Sequence, residues 1–117
     1  MCRGSGLAAT VRLADVPLLP RALALAGQGF VTGASGRNWA GYGEEISLHD
    51  VSAAQRALLT DPQTSGGLLV ACAPDSVAAV LETFRSEGFA HAAVIGELSS
   101  DLPAGVPHVT VRGTVRG

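Results

Sequence analysis

Asp61-Pro62-Gln63-Thr64-Ser65-Gly66-Gly67 gathers more usable chemistry than any other stretch of this 117-residue chain. Pro62 pushes Asp61 out of the helical region. Thr64 and Ser65 offer two hydroxyls, and Gly66-Gly67 let a backbone or ligand come close without a Cβ in the way. Phosphate oxygens are the ligands that such a set suits. The same residues also make an ordinary tight turn into the apolar run Leu68-Leu69-Val70-Ala71-Cys72-Ala73, because Asp-Pro and Gly-Gly are common punctuation. On spacing alone both readings stand, with the turn the commoner.

Arg37-Asn38, after Gly33-Ala34-Ser35-Gly36, is the second candidate. Arginine brings a bidentate donor fork, asparagine a donor and an acceptor, and the flanking glycines make room. The pair could contact a ligand or could anchor a loop. All eight basic residues are arginine and none is lysine, so Schiff-base chemistry and a Walker lysine are excluded within the chain. Any phosphate clamp here must use arginine or backbone amides. Trp39 and Tyr42 are expected to pin the surrounding loop to the core more than to stack on a base.

Other chemistries find little support. His49, His91 and His108 show no metal-ligand spacing, and the adjacent Glu44-Glu45 cannot work as a facing acid/base pair. Cys2 and Cys72 are too far apart for a CxxC site, and Cys72 is expected to be a buried, inert thiol. A serine hydrolase would need Gly-x-Ser-x-Gly between a strand and a helix, which is missing.

The elements that must position these residues follow from the pattern. Leu7 to Val16 alternates as a strand up to Pro17, and a short helix opened by Pro20 carries Leu23 and Ala26 inward until Gly27 and Gly29 stop it. From Gly27 to Gly43 six glycines and weak periodicity predict a long loop. Ser52-Ala53-Ala54-Gln55 is a capping box for a helix over Ala53 to Leu59. A strand over Gly67 to Ala73 should precede a helix with Val77, Val80, Leu81 and Phe84 on one face and Gly88 at its end. Strands at Ala92 to Leu98 and His108 to Arg112 complete the order β-α-loop-α-β-α-β-β. That order predicts an α+β fold: one mixed sheet with helices packed on one side.

Composition bounds the rest. The chain is long enough for one core, and 47% apolar content with 4% aromatic leaves Val, Leu, Ile and Ala to fill it. A net charge of −2 with scattered arginines argues against a nucleic-acid partner. No apolar run approaches the ~20 residues of a membrane span, and no secretory leader is visible, so a cytoplasmic location without membrane contact is expected.

Leu58-Leu59-Thr60-Asp61-Pro62-Gln63-Thr64-Ser65-Gly66-Gly67-Leu68-Leu69, with Gly33 to Gly43 upstream, Met1 to Leu7 at the start and Ile95-Gly96-Glu97-Leu98 downstream, resembles the C-terminal domain of the selenophosphate synthetase (selenide, water dikinase) family. The fold implied is that of the aminoimidazole ribonucleotide synthetase C-terminal domain over residues 1–112, lacking its first helix, with a mobile tail at 113–117. The family makes selenophosphate from selenide, ATP and water, releases AMP and phosphate, and uses magnesium; its members look like homodimers of two-domain protomers. Its Cys or selenocysteine nucleophile, lysine and metal-binding aspartates have no match here, so the resemblance implies an amino-terminal catalytic domain as partner, no cofactor held by this chain alone, and Met1 as an internal methionine or late start. Arg37, Asn38, Thr64, Ser65, Gly66 and Gly67 are then candidates for the nucleotide phosphates. A non-enzymatic assembly or regulatory domain of the same fold is the alternative, and a relative handling a ribonucleotide amide is disfavoured by the Gln63-Thr64-Ser65 wording.

Overall fold

The computed structural model describes residues 1–63, 66–100 and 108–113. One four-stranded mixed sheet organises them, built from β1 (Ala8–Arg12), β2 (Ile46–His49), β3 (Gly96–Ser99) and β4 (Val109–Arg112) in the order β2-β4-β1-β3. β4 runs parallel to both β1 and β2, and β3 closes the other edge antiparallel to β1. The α+β expectation therefore holds.

The register explains why helices belong on one side. Leu48, Val111, Val11 and Gly96 form one row across the sheet, and Ile46, Val109, Ala9 and Leu98 form another on the same face. The row between them, on the opposite face, is Ser47, Thr110, Thr10 and Glu97. Side chains alternate along a strand, so one face is apolar and the other polar. Val111 on the inner strand is 5% exposed.

Five helices accompany the sheet: α1 (Cys2–Ser5), α2 (Ala22–Gly27), α3 (Gly33–Tyr42), α4 (Ala53–Leu59) and α5 (Val77–Ser86). Gly6 ends α1 in the left-handed region and donates its N–H to the Cys2 carbonyl. α2 buries Ala26 as expected, while Leu23 stays exposed. The capping box of α4 is complete: Gln55 N–H donates to Ser52 Oγ at 3.1 Å, and Ser52 N–H donates to Gln55 Oε1 at 2.8 Å. In α5 the four predicted apolar positions are half-buried while its other residues are exposed, and Phe84 meets Phe89 edge to face at 6.4 Å.

Four expectations are corrected. The strand foreseen from Leu7 to Val16 ends at Arg12, because Leu13–Asp15 turn as a 3-10 helix beside an Arg12 to Asp15 ion pair of 2.7 Å. The long loop over Gly27 to Gly43 holds the ten-residue α3, whose Thr32 side chain caps it by accepting from Ser35 N–H; contacts to α4 outweigh its glycines. β2 was not foreseen, since four residues of alternation are a weak signal. The predicted strand over Gly67 to Ala73 takes no place in the sheet: Leu68 and Leu69 are 82% and 66% exposed, and Cys72 is exposed rather than buried. A run apolar on both sides needs cover on both faces, which the described residues do not supply.

The exposed surface is correspondingly large. The chain presents 8310 Å², against about 5900 Å² for a compact monomer of its mass. Leu19, Phe30 and Phe89 add to the exposed apolar area of Leu68 and Leu69. Among the described residues no helix is long and apolar enough to cross a membrane.

Candidate functional site

α3 and the C-terminal end of α4 bring the two candidate segments together. Ser35 and Asn38 lie three residues apart, on one face of α3. Asn38 Nδ2 donates to the Thr60 carbonyl at 2.7 Å. Ser35, 5% exposed, donates through Oγ to the Ala57 carbonyl at 3.0 Å and lies 2.5 Å from Thr60 Oγ1. Thr60 immediately precedes Asp61, so the helix that carries Arg37 is tied to the start of the glycine-bearing turn.

Arg37 uses a different face. Successive helix residues are about 100° apart, so Arg37 is turned away from the side that Asn38 gives to α4, and it is exposed. Its guanidinium reaches back over the first turn of α3, close enough that a Cβ at Gly33 would stand 3.3 Å from one terminal nitrogen. That turn carries no acidic residue, and among the described residues Arg37 forms neither an ion pair nor a side-chain hydrogen bond. Cations are disfavoured at helix N-termini. The arrangement therefore places two sources of positive potential together.

Trp39 anchors α3 from another direction. The Arg56 guanidinium lies 4.9 Å above its ring centroid, and Gly43 is so close that a Cβ there would come within 2.8 Å of Trp39 Cε2. Tyr42 is exposed, so of the two aromatic residues expected to pin this region only Trp39 does so. A groove of about 420 Å³ opens between α2, α3 and α4, lined by Val31, Gly33, Ser35, Gly36, Trp39 and Thr60 among others. A smaller cavity of about 230 Å³, lined by Leu13, Val16, Leu18, Leu23 and Leu58, lies away from every candidate residue.

In the glycine-bearing turn, Thr64 and Ser65 lie outside the described residues. Gln63 Nε2 donates to Asp61 Oδ2 at 3.0 Å, and Gly66 N–H returns to the Gln63 carbonyl at 2.9 Å. Gly66 sits at φ 87, where a side chain is strained, whereas Gly67 has an ordinary φ and nothing within 4 Å of a Cβ. Within this chain the backbone requirement thus falls on Gly66. Ser35 and Thr60 were not singled out from the sequence; a serine and an asparagine at i and i+3 were the available signal, hidden by reading the region as a loop.

An ion pair outside this site ties α1 to the 3-10 turn Gly43–Glu45 that leads into β2. Arg3 meets Glu45 through Nε and a terminal nitrogen, both at 2.6 Å. The hydrogen bonds from Arg3 hold the Glu45 carboxyl below its ordinary value, against partial desolvation, with smaller help from the charges of Arg3 and His108. The same bond raises Arg3. Among the described residues no group of three or more His, Cys, Asp or Glu converges as a metal site.

Comparison with known proteins gives this geometry a family. The sequence profile described as "AIR synthase related protein, C-terminal domain" matches residues 1–103. Proteins named "Selenide, water dikinase" are 52% identical over 104 residues in Dechloromonas aromatica (strain RCB), 55% over 104 in Pseudomonas straminea and 57% over 101 in Paraburkholderia xenovorans (strain LB400). These matches cover 88%, 88% and 86% of this chain but 30%, 29% and 28% of those relatives, so the chain spans under a third of their length. With all five described α-helices and three of the four described strands inside the matched region, the chain belongs to the AIR synthase related protein family, as a C-terminal domain similar to that of the selenide, water dikinases.

Proposed function

We propose that this chain is the C-terminal part of a selenide, water dikinase and forms one wall of its nucleotide site. The reaction would convert selenide, ATP and water into selenophosphate, AMP and phosphate. The observation that carries the reading is Arg37 folded over the acid-free first turn of α3, tied through Asn38 and Thr60 to the Asp61 to Gly67 turn. A guanidinium beside free helix-terminal amides attracts phosphate oxygens. Arg37 would hold phosphate through its fork, and the Gly66-Gly67 backbone would allow close approach, with Thr64 and Ser65 as further candidates.

Phosphoryl transfer depends on positioning and on neutralising developing charge. When bound, magnesium would supply that neutralisation between phosphates. The donor set of the described residues does not fit a magnesium site, so its carboxylates, like the nucleophile and the lysine, would come from an amino-terminal domain. The exposed Leu68 and Leu69 beside the turn suit cover by such a partner. A homodimer of the two-domain protein and a cytoplasmic location belong to the same proposal.

The test is AMP release in the presence of ATP, magnesium and selenide. The chain alone should release none, and the protein with its amino-terminal domain should release AMP only when selenide is present. Arg37→Met in that protein should raise KM for ATP about tenfold, the loss of one charged hydrogen bond, without lowering its melting temperature. Selenide-dependent AMP release by the chain alone would refute the supporting-wall reading. Inactivity of the complete protein would favour the non-enzymatic assembly role.

A further inference from the structure

The last carbonyls of a helix have no partner within it, and at the end of α4 two of these are taken up by α3. Asp61 N–H, which would continue the helix by donating to the Ala57 carbonyl, donates to Leu58 at 3.3 Å instead. Ser35 Oγ takes the Ala57 carbonyl. The Thr60 carbonyl, at the last residue before the turn, accepts from Asn38 Nδ2. Thr60 Oγ1 lies 2.9 Å from the Arg56 carbonyl, 3.3 Å from the Ala57 carbonyl and 2.5 Å from Ser35 Oγ. Each hydroxyl has one proton, so with Ser35 donating to Ala57 the chain between the helices runs from the Thr60 hydroxyl to Ser35 Oγ to the Ala57 carbonyl. Ser35 is the sole buried polar side chain among the described residues. Polar groups are buried where their partners are specific.

We infer that Ser35 and Asn38 are positioning residues that cap α4 from outside and so set the direction in which the chain leaves Thr60 for the Asp61 to Gly67 turn. Asn38 thus serves the site through Thr60, while Arg37, on another face of α3, is the residue left free for an anion. One rigid link then fixes the distance between Arg37 and the turn, since both are built on the same junction. Loss of either capping side chain frees the Asp61 and Gly66 amides without disturbing the sheet. The effect on catalysis rests on the reading in the preceding section; the effect on the turn does not.

The experiment is amide hydrogen exchange on the complete protein carrying this domain, without nucleotide, for wild type, Ser35→Ala and Asn38→Asp, the latter replacing a donor with an acceptor at constant shape. Exchange at Asp61 and Gly66, whose N–H groups bond to the Leu58 and Gln63 carbonyls, should rise about tenfold in both variants, the population shift that one lost hydrogen bond produces, with β1 and β4 unchanged. The kcat/KM for ATP with magnesium and selenide should fall by a similar factor, and Ser35→Thr, which keeps the hydroxyl, should restore part of the protection. Wild-type exchange at these two amides in Asn38→Asp, together with a raised KM for ATP, would overturn the inference and make Asn38 a direct ligand contact. Exchange raised equally through the sheet would overturn it as well, by making the pair a general fold determinant. If wild type itself releases no AMP, the dikinase reading fails while the exchange result still decides the capping role.

Discussion

Replacing Gly96 by alanine should unpair β3 from β1. A Cβ at Gly96 would be driven into the Thr10 carbonyl oxygen, with the Thr10 carbonyl carbon 3.0 Å and Val11 Cα 3.1 Å away. All three neighbours are backbone, so no side chain can swing aside. A carbon normally keeps about 3.3 Å from a carbonyl oxygen, so β3 must move off β1 by on the order of an ångström. Arg12 N–H donates to the Ile95 carbonyl at 2.7 Å beside this point, and Val11 pairs with Gly96 in the ladder. Weakening about two hydrogen bonds at ~0.5–1.5 kcal/mol each, with ~1–3 kcal/mol of overpacking strain, gives a loss of roughly 2–6 kcal/mol. For a chain of this length that corresponds to a fall in Tm of about 8–24 °C. Urea denaturation with the slope held constant is the assay. Stability within about 0.5 kcal/mol of wild type, the usual span for surface changes, would refute the claim that Gly96 is required by close backbone approach.

Three further outcomes are expected. Gly41→Ala, inside α3 with open space where its Cβ would go, should stabilise by about 0.5–1 kcal/mol through helix propensity, a sign opposite to Gly96 in the same urea titration; destabilisation would count against the helical assignment of this glycine-rich stretch. Gly66→Ala should cost about 1–2 kcal/mol because of its left-handed φ, while Gly67→Ala should be nearly neutral in stability, so if the proposed dikinase role holds, a loss of ATP turnover in Gly67→Val of the protein with its amino-terminal domain, at unchanged Tm, would report ligand approach alone. The Arg3 to Glu45 pair makes stability fall in acid: a carboxyl held below its unfolded value contributes above that value and loses the contribution as pH drops through the lowered folded one. Between neutral pH and about pH 3, below the ordinary carboxylate range, wild type should therefore lose more stability than Glu45→Gln, and equal losses would show that the pair adds nothing.

Local signals in the sequence were sufficient for α4 and α5, because a capping box and an i, i+3, i+4, i+7 stripe are completed by neighbours in the chain. They also located β1, β3 and β4 approximately, through alternation, and the Asp61 to Leu69 wording pointed to the family before any contact was known. Tertiary structure decided the rest. α3 exists despite four glycines between Gly33 and Gly43 because Ser35 and Asn38 find carbonyls on α4, partners 22 residues away that no local pattern displays. β2 is a strand because parallel pairing with β4 satisfies its backbone across more than sixty positions of sequence. Gly67 to Ala73 shows the converse: its composition suits a strand, yet a strand requires a neighbour to bond and a surface to cover it. Composition offers a segment its conformations, and only the partners that the fold brings near select among them.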